Sequence, residues 1–242
     1  MKENKEGKDW VYKQMENIGK CYVINLKERT DRLAEFKQKV PVDVKYEVFD
    51  AYSYKLINEY KDNYVLKKFL NPSTEKFKYP VLCCFASHYE LWKEISNQDL
   101  SKYYIIYEDD TFFTDNYIQK LTNVLNDIND IQFDLLYLGS VFMKDFVPKS
   151  MNNFIKLKSN IYKYKETPFK PTDKFYMDIH RTSSSYMLTV DGAKNLIKCT
   201  EESNVIYPVD VFMFTRLNAD KLLHVIPYIN WSPYKYKSDV QK

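Results

Sequence analysis

Glu108-Asp109-Asp110 closes an apolar run, Tyr103-Tyr104-Ile105-Ile106-Tyr107, and is the segment of this 242-residue chain that points most directly to chemistry. Side chains alternate along a strand, so while the extended geometry persists Glu108 and Asp110 project to one side and Asp109 to the other. Two carboxylates on one face repel and raise each other's pKa. A divalent cation that prefers oxygen ligands, Mg²⁺ or Mn²⁺, removes that conflict. The alternative is a solvated acidic turn. Arg29 and Arg32 flank the start of an expected helix, where the macrodipole favours carboxylates, so an anion is their natural partner. A diphosphate would accept bidentate hydrogen bonds from them and from the helix amides; the competing arrangement pairs them with Glu28, Asp31 and Glu35 at the surface. Tyr207-Pro208-Val209-Asp210 puts an acid in the first turn of a helix, either as a general base for a substrate hydroxyl or as an ordinary helix-end acid. His224, on the last apolar run, is a candidate metal ligand or a core histidine. His180 lies in a loop-like stretch and has no argument of its own.

The elements that must position these residues follow from hydrophobic period. Cys21-Tyr22-Val23-Ile24-Asn25-Leu26 reads as a buried strand, followed by a helix with Thr30 as N-cap and Leu33, Phe36 and Val40 on one face. Val44–Val48 alternates like a strand and runs into Phe49-Asp50-Ala51. The stretch 52–79 has no clear period. A helix opens at Pro80 with Leu82, Phe85, Ala86, Tyr89 and Trp92 as its stripe, leaving His88 off the stripe beside Cys84 and Trp92. The strand 103–107 precedes a helix carrying Tyr117, Leu121, Val124, Leu125 and Ile128, and then the strand Phe133–Gly139. Val141 to Asp178, with Pro148, Pro168 and Pro171, is expected to be a functional loop region. Ser184–Val190 reads as a strand, Asp191-Gly192 as a turn, Ala193–Cys199 as a helix, Pro208 as the start of another helix, and Leu222–Ile226 as a strand. Strands alternating with helices predict an α/β fold with a mostly parallel sheet, whose ligands sit at the carboxyl ends of the strands.

Composition excludes several function classes. Gly7, Gly19, Gly139 and Gly192 are too far apart to form a dinucleotide-binding or P-loop turn. A balance of 36 Lys+Arg against 33 Asp+Glu, net +3, leaves no polybasic footprint for nucleic acid or a membrane surface. Cys21, Cys83, Cys84 and Cys199 lack Cys-x-x-Cys spacing and read as buried free thiols rather than a zinc site or disulfide framework. Met1 to Asp9 is charged with no apolar segment behind it, and no stretch approaches the roughly 20 apolar residues of a membrane span. The expected parse is a polar extension at 1–19, one domain at 20–231 and a tail at 232–242.

Taken in order, Tyr22 to Arg32, Cys84-Phe85-Ala86-Ser87-His88-Tyr89-Glu90-Leu91-Trp92, Ile106 to Asp110, Asp134 to Gly139, Ser185-Tyr186-Met187-Leu188 with Gly192-Ala193, and Pro208-Val209-Asp210 resemble glycosyltransferase family 25. That family includes lipooligosaccharide and procollagen galactosyltransferases. The resemblance implies a GT-A type fold, Rossmann-like in its nucleotide-binding half, and a metal-dependent inverting transfer of galactose or glucose from a UDP-sugar. It implies Mn²⁺ or Mg²⁺ as cofactor and a glycan or collagen-like hydroxylysine acceptor. The family's acidic motif falls on Glu108-Asp109-Asp110, with Asp110 the first choice for metal contact. Asn25, Arg29, Arg32, Ser87, His88 and Asp50 fall near the nucleotide and its sugar. Asp210 is the implied base, with Asp109 as fallback. Cys83 stands where the family often has Gly, and Arg181-Thr182-Ser183-Ser184 replaces a small-residue approach to the late strand; both departures bear on which sugar is chosen. A non-catalytic carbohydrate- or collagen-binding module and a metal-dependent phosphatase or nuclease are the rival readings. A cytoplasmic enzyme, bacterial or in a virus-infected host, is expected.

Overall fold

The computed structural model describes residues 13–70, 78–140, 147–148, 151–165 and 182–233. Its frame is an eight-stranded sheet built from β1 (Ile18–Asn25), β2 (Glu47–Asp50), β3 (Tyr103–Glu108), β5 (Leu135–Tyr137), β7 (Phe154–Lys156), β8 (Ile161–Tyr164), β9 (Ser185–Leu188) and β10 (Leu222–Val225). The spatial order is β2-β1-β3-β9-β5-β10-β8-β7. β1 pairs in parallel with β2 and β3, and β5 with β10, whereas β9 and β8 run against their neighbours. The sheet is therefore mostly parallel in strand direction, as the alternation of elements predicts. A three-stranded sheet, β4 (Phe112–Phe113), β11 (Asn230–Trp231) and β6 (Gly139–Ser140), sits beyond the end of β3.

Period-two alternation puts Tyr22, Ile24, Tyr104 and Ile106 on one face of the large sheet and Cys21, Val23, Ile105 and Tyr107 on the other. The second face is covered by α1 (Thr30–Lys39) and α4 (Tyr117–Ile128), through Phe36, Tyr117, Leu121, Val124, Leu125 and Ile128. The first face is covered by α2 (Tyr64–Phe69), α3 (Tyr79–Ile95), α5 (Val190–Glu202) and α6 (Val209–Arg216). α3 is buried on most of its circumference, as a helix with apolar residues all round must be. Phe85 and Trp92 have no exposure and meet edge to face at 5.6 Å. Each such ring contributes about 1.5–3 kcal/mol on burial, which fixes the helix that carries Cys84, Ser87 and His88.

Three local expectations are corrected. Thr30 is the first residue of α1 rather than its cap, because Arg29 occupies the cap position and no side chain caps the helix. Asp191-Gly192 lies inside α5, where Thr189 accepts the Gly192 N–H at 2.9 Å as N-cap. Glycine is needed there for close approach, since a Cβ would stand 2.1 Å from the Asp134 carbonyl oxygen. The stretch expected to be loop contains the antiparallel β7–β8 pair, which joins the sheet edge against β10. Residues 141–146, 149–150 and 166–181, with Pro168, Pro171 and His180, lie outside the described residues.

Candidate active site

Three strand ends converge on one cleft. β1 and β3 are in register, Ile24 opposite Glu108, and β2 ends alongside with Asp50 opposite Asn25. The cleft is lined by Ile24, Leu26 and Arg32, by Ala51, Tyr52 and Tyr54, by Pro80, Cys83, Cys84, Ser87 and His88 of α3, and by Glu108, Asp109 and Asp110. Its wall is tied down at Ser87, whose hydroxyl accepts the Tyr52 N–H at 2.9 Å and donates to the Cys83 carbonyl at 2.9 Å.

The acidic triplet splits across the sheet. Glu108 still obeys strand alternation and points towards α3, with Oε1 3.4 Å from His88 Nε2. Asp109 points towards α1. The strand then ends in a turn closed by Thr111 N–H donating to the Glu108 carbonyl at 3.0 Å, so strand alternation no longer sets the direction of Asp110, which stays close enough to feel the Glu108 charge. Instead Asp109 and Asp110 share one guanidinium: Arg32 Nη2 lies 2.7 Å from Asp109 Oδ1 and 2.8 Å from Asp110 Oδ2. Asn25 donates to Asp109 Oδ2 at 2.7 Å and to the Arg29 carbonyl at 3.1 Å.

These surroundings set the charges. Burial, opposed by Arg32 and reinforced by Asp110, pushes Asp109 up to about 7. Burial and the neighbouring Glu108 charge push Asp110 up to about 6, against the pull of Arg32 and Ser232. Burial works to raise Glu108 as well, but its contact with His88, with help from Ser183 and Arg32, leaves it below the usual carboxylate value. Cys84 is held well above a normal thiol by burial and by the negative charges of Glu108, Asp210 and Asp110, which also places Asp210, half-buried in the first turn of α6, in this neighbourhood.

The site thus gathers Asn25, Arg32, Ser87, His88, Glu108, Asp109 and Asp110 from the expected residues, while Asp210 is outside the cleft lining and reaches the site only through its charge at Cys84. Three others sit apart from it. Arg29 makes two 3.0 Å hydrogen bonds to Asp31, the surface pairing. Asp50 is exposed at the end of β2 and does not line the cleft. His224 is fully buried three strands from β3, stacked on Tyr137 at 5.0 Å and edge to face with Phe154 at 5.3 Å; burial lowers it to about 3. Two contributors were missed from sequence. Tyr186 holds His88 Nδ1 at 2.8 Å and accepts Trp92 Nε1–H at 3.0 Å. Cys84 turns its sulfur towards His88 and Glu108, a placement its i, i+4 spacing from His88 would have signalled. All four cysteines are free, Cys21 and Cys83 buried, Cys84 and Cys199 half-buried.

The donor set suits a hard divalent cation. Glu108 Oε1 and Asp110 Oδ1 are buried carboxylate oxygens without a hydrogen-bond partner, and oxygen is the ligand Mg²⁺ and Mn²⁺ prefer.

A model of the family described as glycosyltransferase family 25 (LPS biosynthesis protein) matches residues 18–213. Procollagen galactosyltransferase 2 of Mus musculus is 25% identical over 219 residues, 84% of this chain and 31% of that protein. Procollagen galactosyltransferase 1-A of Xenopus laevis is 27% identical over 206 residues, 81% of this chain and 31% of that one. The chain therefore spans 31% of the length of these relatives. The S. aureus TarS 1-349 structure in complex with UDP-GlcNAc superposes with a TM-score of 0.44 at 13% identity, over 91% of this chain and 60% of that one. No helix among the described residues is long and apolar enough to cross a membrane.

Proposed function

The chain belongs to glycosyltransferase family 25, and from that premise we propose that it transfers a hexose, galactose or glucose, from a UDP-sugar to an acceptor hydroxyl on a glycan or a collagen-like hydroxylysine. The proposed transfer inverts the anomeric centre and depends on Mn²⁺ or Mg²⁺. The observation that carries the reading is the pair of unpartnered buried oxygens, Glu108 Oε1 and Asp110 Oδ1, at the strand end that opens onto the cleft. These two residues would hold the cation. Such an ion, when bound, supplies Lewis-acid stabilisation to the charge that develops on a departing diphosphate.

The protein's own residues supply the rest. Arg32 and Asn25 hold Asp109 and Asp110 in place, so the acidic turn keeps one geometry before any donor arrives. Asp109 commits both oxygens to those partners, and the proposed base for the acceptor proton is Asp210, whose charge is felt at Cys84 in the cleft, a contribution typically of about 10²–10⁴-fold. Ser87, by tethering the Tyr52 backbone, keeps the Tyr52 and Tyr54 wall against α3, where uridine would bind. The preference for galactose draws on the names of the procollagen galactosyltransferase relatives.

The test is UDP release from UDP-galactose and UDP-glucose with Mn²⁺, with and without chelator. Chelation should abolish release, and Asp110→Asn should lower turnover by about 10²-fold or more while the far-ultraviolet circular dichroism stays unchanged. Turnover that survives both treatments overturns the assignment, and release of inorganic phosphate in place of UDP makes the chain a hydrolase.

A further inference from the structure

Cys84 and His88 are not used by the transfer reaction as proposed, yet they are built as a pair. Four residues apart on α3, they lie on one face of the helix, one turn above the other. Cys84 Sγ, a His88 ring nitrogen and a Glu108 carboxylate oxygen all lie within 4.8 Å of one another. His88 has no exposure, and its Nε2 and Glu108 Oε1 are both buried without a hydrogen-bond partner, although only 3.4 Å separates them. Two atoms that could satisfy each other instead miss hydrogen-bond geometry. Ligands held at about 2.0–2.1 Å from a tetrahedral zinc ion stand about 3.3–3.4 Å apart, which is the separation seen here.

We propose that Cys84, His88 and Glu108 form a site for a borderline-soft divalent cation, Zn²⁺ foremost, sharing Glu108 with the hard-cation position on Asp110. Thiolate and imidazole select zinc over magnesium and manganese, and three protein ligands leave the fourth position open to the cleft that all three residues line. Ligand histidines are oriented by a partner on their second nitrogen. Tyr186 is that partner: its hydroxyl oxygen has two lone pairs, one for Trp92 Nε1–H at 3.0 Å and one for His88 Nδ1–H at 2.8 Å, leaving Nε2 bare for the ion. Because Glu108 serves both positions, Zn²⁺ and Mn²⁺ compete for the protein. The site does not rest on the transferase reading and is tested without any sugar donor.

The experiment titrates chelator-stripped protein with Co²⁺ as a chromophoric probe and Zn²⁺ as competitor. One equivalent of Co²⁺ should give a thiolate-to-metal charge-transfer band that Zn²⁺ displaces. Cys84→Ser, a near-isosteric change at a half-buried position, should abolish the band. His88→Gln should weaken Zn²⁺ binding by about tenfold or more. Asp110→Asn should leave the band in place. Absence of the band in the parent protein, its survival in Cys84→Ser, or its loss in Asp110→Asn overturns the proposal.

Discussion

The two flanks of β3 at its carboxyl end hold similar groups and treat them oppositely. On the α1 flank, Asp109 has Arg32 on one oxygen and Asn25 on the other, and Arg32 reaches on to Asp110. That network closes around Asp109, while Asp110 keeps one oxygen, Oδ1, without a hydrogen-bond partner. On the α3 flank, Glu108 Oε1 and His88 Nε2 face each other unbonded beside the Cys84 sulfur. Buried polar atoms are nearly always paired, so leaving two of them unmet is costly unless a ligand completes the set. The difference teaches that the paired atoms hold the turn in shape, while the unpaired ones, Asp110 Oδ1 among them, are those the proposed cations would use.

The largest effect should come from breaking the closed flank. Arg32→Ala leaves two buried carboxylates without their shared counter-charge and should cost about 3–5 kcal/mol in urea unfolding. Adding Asp109→Asn to that variant should recover part of the loss, and simple additivity of the two changes would show that the network is not one unit. A smaller effect is expected from pH. Asp109 and Asp110 titrate at about 7 and about 6 in the folded chain, above the unfolded value of about 3.9, so between these limits the folded state holds more protons. Stability of metal-free protein should therefore fall as pH rises from about 4 to about 7 and level off above it; a midpoint flat across that window argues against the raised values. Arg29→Ala should have the smallest effect. Its partner Asp31 has 64% side-chain exposure, so the thermal midpoint should match the parent, in contrast to Arg32, whose side chain is 9% exposed.

Much of the frame was legible in the sequence because its signals are local. α4 places Tyr117, Leu121, Val124, Leu125 and Ile128 at helical spacing, and all five are buried. β3 and the acidic residues after it were readable for the same reason. The errors arise where a tertiary contact overrides the local pattern. Asp-Gly is a common turn dipeptide, but Thr189 caps a helix across it and the Asp134 backbone excludes any side chain at Gly192. Arg29 and Arg32 look alike along the chain; only the fold shows that one pairs at the surface and the other inside the acidic turn. The Cys84–His88 spacing was visible, but the third member, Glu108, comes from a different element, and no period links them.

The reversed strand β9 has a consequence for how the site comes into being. Entering between β3 and β5, it presents the Ser184 carbonyl to the Glu108 N–H at 2.8 Å and to the Thr111 hydroxyl, a residue 73 positions away along the chain. Pairing across such separations closes long loops and is kinetically slow, whereas β1, α1 and β2 can begin to associate from neighbouring sequence. The turn that carries Asp109 and Asp110 thus acquires its final shape only after β9 has docked. A polypeptide still emerging or only partly folded has the acidic residues but not their arrangement, so the proposed cation would bind tightly only to a finished sheet, among the last events of folding.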